Sequence, residues 1–259
     1  MSHSDLMTPA RQEQIVDLVN HEGSITVTEL SERFGVSETT IRRDLVALAA
    51  ENLIRRTHGG AMRLGTVATT ESPIVQRQSE HADEKRRIGE ATAHLIRNGE
   101  TVLLAGGSTA LAVAQQLNHH QNLTIITESL LAVHELMRQG QHRLMILGGT
   151  INPDEQAVRG TLARQMLEQL RVDKVIIGAR AVSVTRGISA ETPEEAEFLR
   201  EFLNCSDHVI LVTDSSKFHL SALARLAPLS VLNTIVTDSS LDEDIAHDLR
   251  ELGIHLLTV

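Results

Sequence analysis

The sequence predicts an α/β protein in which a small, mainly helical N-terminal unit precedes a larger domain built on a mostly parallel sheet. Two helix starts, a glycine turn and a basic hairpin follow one another within residues 1–64. Residues 65–83 are polar and interrupted by Gly65 and Pro73, which is typical of a linker. In residues 84–259, strand-like apolar runs alternate with helix-like segments, as in a parallel sheet flanked by helices.

The composition of the 259 residues, 41% apolar and 22% charged, is that of a soluble globular protein with two domains. No apolar run reaches the ~20 residues that a membrane helix needs, and the polar N-terminus lacks the apolar core of a signal peptide. We therefore expect a cytoplasmic protein. The single cysteine, Cys205, permits no internal disulfide, and its helical surroundings favour a buried, reduced thiol over a nucleophile.

The formal net charge of -10 argues against nucleic-acid binding, since affinity for DNA comes mostly from cations that meet phosphates. The distribution of charge reverses this conclusion. Residues 38–63 contain five arginines and three acids, a local net charge of +2. The chain has no Trp, no Tyr and four Phe, so it lacks the aromatic platforms on which single-stranded nucleic acids stack. Duplex DNA is the polynucleotide that this composition favours.

The N-terminal unit begins with two helices. Thr8-Pro9 is a helix start, and we expect a first helix over residues 9–21. Thr26 and Glu29 have the spacing of a capping box, which predicts the start of a second, short helix. That helix ends where Gly35 can provide a left-handed C-cap.

A third helix follows the turn, with Ser37 as its cap and with Ile41, Leu45 and Leu48 facing the core. Two helices joined in this way have the helix-turn-helix plan, whose second helix enters the major groove of DNA. The predicted recognition residues are the cap and the exposed positions near it, namely Ser37, Thr39, Thr40, Arg42 and Arg43.

A basic hairpin follows the third helix. Residues 53–57 and 61–64 flank His58-Gly59-Gly60, which predicts the wing of a winged helix. Arg55, Arg56 and His58 are then predicted to contact the DNA backbone or the minor groove.

Asp44 would repel phosphate, so we expect it to orient an arginine. The alternative is an ordinary three-helix packing unit with a solvated arginine face. The agreement of caps, glycine turn, apolar spacing and hairpin in order and length favours DNA binding.

Seven candidate strands follow the linker, at residues 101–105, 123–126, 143–147, 174–177, 208–213, 232–237 and 254–259. Ligands of parallel sheets bind outside the carboxyl ends of the strands. The glycine turn Gly106-Gly107-Ser108-Thr109 lies there, between a strand and a predicted helix at residues 110–117, where backbone amides can meet an anion. A tight turn without a ligand is the alternative.

Three other strand ends also carry polar groups. They are Thr127-Glu128-Ser129, Gly148-Gly149-Thr150 and Asp214-Ser215-Ser216-Lys217. Lys217 can serve as a mobile cation for a phosphate or carboxylate, while taken alone it is equally well read as a solvated surface lysine.

The N-terminal segment resembles the DeoR family of bacterial regulators. Arg11, Ile15 and Val19 are similar to the first helix of that family, and the run RRTHGGA at residues 55–61 is similar to its wing. The recognition helix of the family is matched by Ser37, Thr40, Ile41, Arg42, Arg43, Asp44 and Leu45. The resemblance continues from Glu84-Lys85 to the DSSKF run at residues 214–218 and so covers nearly the whole chain.

This resemblance implies a sensor domain similar in fold to ribose-5-phosphate isomerases and CoA transferases, which binds a phosphorylated sugar that alters DNA affinity. By the same resemblance, Gly107, Ser108 and Thr109 would hold phosphate, and Lys217 would face the ligand.

The chain departs from the family pattern at four positions. Ala105 stands where the family usually has an acid, and Glu128 where it has Asn. Arg180-Ala181 replaces a frequent Asp-Gly, and Leu199 replaces a Lys. We add Gly106, Glu128 and Arg180 to the expected effector-binding residues, and we expect an altered but still anionic effector. Glu128 would repel a nearby phosphate by a few kcal/mol unless Arg180 or Lys217 screens it.

The sequence therefore predicts a DNA-binding transcriptional regulator, a repressor of a carbohydrate-catabolism operon that responds to a sugar phosphate. An activator is an open alternative. A second open alternative is a sugar-phosphate isomerase or transferase with an appended DNA-binding domain. Its candidate catalytic acids have no recognisable catalytic spacing; they are Glu128, Glu191, Glu195 and Asp214. We expect no catalytic site and no cofactor. We also expect no metal, because the adjacent His119-His120 do not have the spacing of metal ligands. Paired half-sites predict a homo-oligomer, a dimer by that argument or a tetramer by the family resemblance, assembled through the C-terminal domain.

Overall fold

A computed structural model describes residues 8–22, 24–51, 53–57, 59–63 and 72–259 of the chain. The chain divides into two compact units, Met1–Thr66 and Val67–Val259. No helix within the described ranges is long and apolar enough to span a bilayer.

The smaller unit contains three helices and a three-stranded antiparallel sheet of strand order β1-β3-β2. Its helices are α1 (Thr8–Glu22), α2 (Val27–Phe34) and α3 (Glu38–Ala50), and its strands are β1 (Ser24–Thr26), β2 (Ile54–Thr57) and β3 (Gly60–Arg63). Ile15, Leu30, Ile41 and Leu45 meet in a common core. The predicted inward face of α3 is therefore confirmed.

The predicted helix ends of the smaller unit are confirmed within one residue. The Thr26 hydroxyl accepts from the Glu29 amide while the Glu29 carboxylate accepts from the Thr26 amide, so the capping box is complete. Gly35 ends α2 with a φ of 62°, in the left-handed region that glycine adopts without strain. The Ser37 hydroxyl accepts from the Thr40 amide at the start of α3.

The predicted hairpin is also present. β2 and β3 pair from Ile54 opposite Arg63 to Thr57 opposite Gly60, so Gly60 belongs to a strand rather than to the turn. β1 adds a third strand, pairing Ile25 with Ala61. The sequence did not predict β1, because a run of three residues between two helices is too short to show the alternation of apolar and polar residues that marks a strand.

Asp44 ties α3 to α1. Its side chain is buried and accepts from Arg11 Nε at 2.7 Å and from Gln12 Nε2 at 3.0 Å. Asp44 therefore orients an arginine, as expected, and that arginine belongs to the first helix. The interaction fixes the position of α3 in the helix-turn-helix.

The larger unit is a parallel sheet covered by helices on both faces. Its helices are α4 (Ile74–Arg77), α5 (Ala82–Ala93), α6 (Ser108–Gln115), α7 (Leu130–Gln139), α8 (Thr161–Leu167), α9 (Pro193–Asn204) and α10 (Glu243–Glu251). The strands of the sheet are β4 (Thr101–Leu104), β5 (Thr124–Thr127), β6 (Arg143–Ile146), β9 (Lys174–Ile177), β12 (Val209–Val212), β14 (Thr234–Thr237) and β15 (His255–Thr258). All seven strands predicted from the sequence are present.

Burial on both faces explains why these strands read as continuous apolar runs. In β4, Val102 and Leu104 belong to one hydrophobic core and Leu103 to the other. Side chains of α5, α6 and α7 complete the first core, and side chains of α8, α9 and α10 complete the second. The unit is therefore a three-layer α/β/α structure.

The order of the strands places a crevice at one edge of the sheet. The sheet runs β15-β14-β12-β9-β4-β5-β6, and every adjacent pair is parallel. The chain builds outward from β4 to β6 and then returns to the other side of β4 at β9. The strand order thus reverses between β4 and β9, and such a reversal opens a crevice at the carboxyl ends of the two strands.

Two accessory sheets extend the unit beyond the prediction. β7 (Thr150–Asn152) and β8 (Ala157–Arg159) form a hairpin, and β10 (Ala181–Ser183), β11 (Gly187–Ala190) and β13 (Ala224–Ala227) form a small antiparallel sheet. Each of these five strands has only three or four residues, which is too short to show a two-residue period in the sequence.

Part of the predicted linker belongs to the larger unit. Residues 65–71 lie outside the described residues, but residues 72–83 include α4. Ile74 is fully buried, and its amide donates to the Asp154 carbonyl at 2.9 Å. The segment from α4 onward is therefore packed in the larger unit rather than serving as a linker.

Replacing Asp44 with Ala should destabilise the smaller unit by about 1–3 kcal/mol, because Arg11 and Gln12 lose a buried acceptor. Urea unfolding followed by circular dichroism at 222 nm measures the loss. Arg42→Ala is the control, since it breaks an exposed i,i+4 ion pair to Glu38 and should cost about 0.5 kcal/mol or less. Equal stability of Asp44→Ala and the wild type would contradict a structural role for Asp44.

Candidate nucleic-acid interface and ligand cavity

The predicted recognition residues lie together in the first two turns of α3. Thr39, Arg42 and Arg43 are exposed, while Ile41 and Asp44 are buried on the opposite face. Ser37 and Thr40 are partly committed to each other, with 2.9 Å between their hydroxyl oxygens. The helix thus presents a hydroxyl and two guanidinium groups beside its N-terminus, where the helix dipole favours phosphate.

The two arginines of α3 differ in their surroundings. Arg42 donates to Glu38 Oε2 at 3.2 Å, and the other Glu38 oxygen accepts from the Thr28 hydroxyl at 3.1 Å. A contact between Arg42 and DNA would therefore require Arg42 to leave or share this carboxylate. Arg43 is exposed and has no ion-pair partner among the described residues, so it is the more accessible group for a base or a phosphate.

The wing carries the other predicted DNA contacts. The backbone of Arg55 and Arg56 lies in β2, and the Arg56 side chain is exposed. His58 lies outside the described residues, so its predicted contact stays a prediction.

A cavity lies where the sheet order reverses in the larger unit. Its lining residues surround about 780 Å³ of non-atom space, which includes open solvent. Residues 105–110 after β4, residues 178–180 after β9 and Thr213, Asp214 and Lys217 after β12 contribute to its wall. The cavity therefore lies at strand ends at which the sequence predicted ligand-binding residues.

The turn after β4 places the first residues of α6 in the wall of this cavity. Gly107 has a φ of 117°, a backbone conformation that L side chains rarely adopt. The first helical hydrogen bond of α6 runs from the Leu111 amide to the Gly107 carbonyl at 2.9 Å. The amides of Ser108, Thr109 and Ala110 precede that bond and have no acceptor in the helix. Together with two hydroxyls, they can hold an anion at a helix N-terminus.

The wall of the cavity is rich in charge of both signs. Its cationic side chains are Arg77, Lys85, Arg159, Arg180 and Lys217, and its carboxylates are Glu80, Glu155, Glu195 and Asp214. Arg77 forms an ion pair with Glu155 on the β7–β8 hairpin connection. The cations thus outnumber the acids by one, which suits an anionic ligand with polar groups elsewhere.

Lys85 and Lys217 have different roles in this wall. Lys85 Nζ donates to the carbonyl oxygens of Arg77 and Glu80, both at 2.6 Å, so it fastens the segment after α4 to α5. Burial lowers the pKa of Lys85, and Asp214 opposes this shift. The Lys217 ammonium has no hydrogen-bond or ion-pair partner in the part of the chain that the structure describes. Lys217 is the cation left for a ligand.

Glu128 lies beneath the glycine turn instead of facing the cavity. It is fully buried, and its Oε1 accepts from the Gly106 amide at 2.8 Å and from Arg159 Nη1 at 3.1 Å. Burial raises the pKa of Glu128, while the Arg159 guanidinium and the Gly106 amide act in the opposite direction. Glu128 therefore shapes the turn and orients Arg159, and a direct contact with the effector does not follow from its position.

The structure brings together six of the seven predicted effector residues. Gly106, Gly107, Ser108, Thr109, Arg180 and Lys217 line one cavity, as do the departures Ala105 and Leu199. Sequence reasoning missed Arg159, which pairs with Glu128 and stacks 4.8 Å from the ring centroid of Phe198. Glu128 stands where the family has Asn, and this indicated that a cation must offset the charge of Glu128. The sequence pointed to Arg180 or Lys217 for that cation instead of Arg159.

Both units match known domains. Residues 11–67 match the DeoR-like helix-turn-helix domain, and residues 80–239 match the DeoR C terminal sensor domain. The first match contains α3 and the hairpin, and the second contains the cavity.

Relatives of similar length cover the whole arrangement. The transcriptional repressor AccR of Agrobacterium fabrum is 38% identical over 248 residues, which cover 94% of this chain and 96% of that protein. The glycerol-3-phosphate regulon repressor of Escherichia coli is 34% identical over 246 residues, which cover 95% of this chain and 97% of that protein. The putative aga operon transcriptional repressor of Escherichia coli is 29% identical over 253 residues, covering 97% and 94% of the two chains.

A solved ribose 5-phosphate isomerase from Methanocaldococcus jannaschii aligns with 54% of this chain and 55% of its own, at 17% identity and a TM-score of 0.39. The two domain matches and the full-length relatives, in contrast, extend over both units with their sites. The chain therefore belongs to the DeoR family of DNA-binding transcriptional regulators.

Proposed function

We propose that this regulator represses a carbohydrate-catabolism operon and that a phosphorylated sugar, or a related anionic metabolite, alters its affinity for the operator. The names of two relatives support the first part, since one is a repressor of the glycerol-3-phosphate regulon and another a putative repressor of the aga operon. The exposed arginines of α3 support operator binding by that helix. Bacterial DNA lies in the cytoplasm, so we place the protein there.

The observation that carries the effector proposal is the turn after β4. It combines the amides of Ser108, Thr109 and Ala110, two hydroxyls and the N-terminus of α6 on one side of a cavity. Phosphate is the common metabolite group that such a set of donors fits best. Lys217, from the end of β12, adds a cation to the same cavity.

The remaining wall suits the rest of a sugar. Arg180 and Ser189 offer donors, and Asp214 and Glu195 offer acceptors for hydroxyl groups. Leu199 and Leu226 add an apolar patch against which a carbon skeleton can pack. A phosphate at α6 with hydroxyls toward β11 and α9 would fill both parts of the cavity.

Catalysis is not part of the proposal, because the full-length relatives are named as transcriptional repressors. One oxygen of Asp214 accepts from the Ser216 amide at 3.2 Å, and one oxygen of Glu195 accepts from the Glu191 amide at 2.9 Å. These bonds leave further lone pairs on both carboxylates for the hydroxyl groups of a ligand.

We also infer that the regulator acts as a homo-oligomer assembled through the larger unit. Helix-turn-helix proteins read paired half-sites as symmetric dimers. β6 is an edge strand of the sheet, and its Ile146 is exposed. The adjoining elements α7 and β7 expose Met137 and Ile151. Large exposed apolar side chains beside an open strand edge favour contact with a second copy.

Arg43→Ala should weaken operator binding by ~1–3 kcal/mol. If Arg43 reads guanine, the sequence preference should relax at one base pair. If it contacts phosphate, all sequences should weaken alike and the salt slope should flatten by about one unit. Fluorescence anisotropy with fragments selected from genomic DNA by the wild-type protein measures both, and two chains per bound operator are expected.

Arg97→Ala is the matched control, because it removes one exposed arginine from the larger unit and leaves α3 intact. Its operator affinity should equal that of the wild type. Unchanged binding by the Arg42→Ala, Arg43→Ala double variant would remove the recognition-helix assignment.

Lys217→Ala should weaken sugar-phosphate binding by about 1.5–3 kcal/mol, because a charge-assisted contact to the ligand is lost. Isothermal calorimetry across a panel of phosphorylated and unphosphorylated sugars measures the affinities, with heat expected only from phosphorylated ones. Arg186→Ala, an exposed cation outside the cavity wall, should bind as the wild type does. No heat from any sugar phosphate would contradict the proposed effector class.

A further inference from the structure

The β7–β8 hairpin, residues 150–159, contacts two parts of the larger unit that the proposed function leaves unconnected. One is the turn after β4, where an anion is proposed to bind. The other is the connecting segment, residues 72–80, which is the first described stretch of the larger unit after the smaller one. The covalent path from the anion site to the smaller unit passes through this segment.

Buried Glu128 joins one end of the hairpin to the turn after β4. A single oxygen, Glu128 Oε1, accepts from the Gly106 amide at 2.8 Å and from Arg159 Nη1 at 3.1 Å. The Val158 amide donates to the Glu128 carbonyl at 2.8 Å. A Cβ added at Gly106 would lie 3.7 Å from the Ala157 Cβ, so the turn also packs against β8. A shift of the Gly106 backbone therefore moves a carboxylate that also holds the hairpin.

Arg159 is fixed by the hairpin and by α9 as well as by Glu128. Its Nη1 also donates to the Val158 carbonyl at 3.1 Å, and its Cζ lies 4.8 Å from the centroid of the Phe198 ring. Glu128 is fully buried, and separating a buried ion pair leaves an uncompensated charge. We therefore expect the turn and the hairpin to move together rather than apart.

The other end of the hairpin, the connection between its two strands, holds the connecting segment. The Ile74 amide donates to the Asp154 carbonyl at 2.9 Å, and Arg77 Nη2 donates to Glu155 Oε2. Ile74 and Arg77 are both buried. Arg77 Nε also donates to the Ser72 carbonyl at 2.8 Å, which closes the segment on itself. The hairpin thus holds the segment through one backbone hydrogen bond and one ion pair.

The charges that hold the connecting segment belong to the wall of the effector cavity. Arg77, Lys85 and Glu155 line it together with the turn after β4. Burial lowers the pKa of Lys85, Asp214 raises it and Lys217 lowers it. Lys85 therefore lies within electrostatic reach of the end of β12 while its Nζ holds the segment. An anion in the cavity thus acts on the same charges that position the segment.

We propose that the β7–β8 hairpin transmits occupancy of the anion site to the DNA-binding unit. It moves with the turn after β4 through the Glu128–Arg159 pair, and it carries the connecting segment through the Glu155–Arg77 pair. This inference rests on the proposed function, in which an anion binds the turn, and it adds the route by which that binding alters operator affinity. Neither ion pair belongs to the smaller unit, so an effect of either on operator binding is indirect.

Amide hydrogen exchange of the full-length protein, measured by mass spectrometry, tests whether the two ends of the hairpin are coupled. Arg159→Met breaks the pair with Glu128 and keeps an apolar contact with Phe198. It should speed exchange in the connecting segment by about 5-fold or more, the lower end of the usual range of coupling. Arg159→Lys, which retains a cation for Glu128, should restore protection. Arg164→Met is the matched control, because Arg164 pairs with Glu197 of α9 instead.

Operator affinity measured by fluorescence anisotropy, without added ligand, tests the other end of the hairpin. Glu155→Gln removes the charge that holds Arg77, and it should change operator affinity by about 5-fold or more. Glu90→Gln removes the charge of an exposed ion pair with Arg86 on α5, so it should bind the operator as the wild type does.

Strand β12 in the middle of the sheet is the internal reference for variants that are merely less stable. Global destabilisation speeds exchange in β12 as well, whereas the proposed coupling speeds it only in the hairpin and the connecting segment. The coupling is overturned if Arg159→Met leaves exchange in the segment unchanged, or speeds it only in step with β12. It is also overturned if Glu155→Gln binds the operator with wild-type affinity.

Inorganic phosphate is the probe that separates this inference from the proposed function. It should slow exchange at residues 108–110 and change exchange in the connecting segment of the wild type, and in Arg159→Met it should affect residues 108–110 alone. Phosphate that protects the turn and leaves the wild-type segment unchanged would overturn the coupling. Phosphate that does not protect the turn would instead contradict the anion site of the proposed function, while the ligand-free variants still decide the coupling.

Discussion

The reversal of strand order between β4 and β9 is the constraint on which the chemistry of the larger unit depends. It places the turn at Gly107 and the Arg180 loop side by side at the carboxyl edge of the sheet. Without it, the amides at the start of α6 would face a neighbouring loop instead of open space. The charged side chains then divide between two tasks. Lys85 and Glu128 hold the backbone of the site, while Lys217 is left for a ligand.

The smaller unit depends on a comparable polar contact. Asp44 is the buried acceptor that joins α3 to Arg11 and Gln12 of α1. If Asp44 were exposed beside the arginines of α3, its charge would weaken the binding of phosphate by α3. Pairing it inside the unit removes that repulsion and leaves Arg43 accessible on the opposite face. In both units, then, a buried carboxylate organises the backbone from which the functional groups project.

The sequence predicted those parts of the fold that carry a local physical signal. The Thr26 capping box, the Gly35 C-cap and the seven strands of the sheet each follow from a short pattern, and each is present. The strand ends also gave the position of the cavity. The sequence could not supply contacts between distant segments. Arg159 reaches Glu128 through the β7–β8 hairpin, whose strands are too short to recognise from a pattern. Lys85 was part of the family resemblance, but its bonds to two backbone carbonyls follow only from the packing of α4 and α5.

We propose that an anion bound at the start of α6 changes the affinity of α3 for operator DNA. Operator affinity measured by fluorescence anisotropy, with and without saturating sugar phosphate and with the same sugar lacking phosphate, tests it most directly. We expect the sugar phosphate to change operator affinity by about 5–150-fold, the usual range of allosteric coupling. The unphosphorylated sugar should leave operator affinity unchanged. A sugar phosphate that binds the cavity with calorimetric heat but leaves operator affinity unchanged would contradict the account.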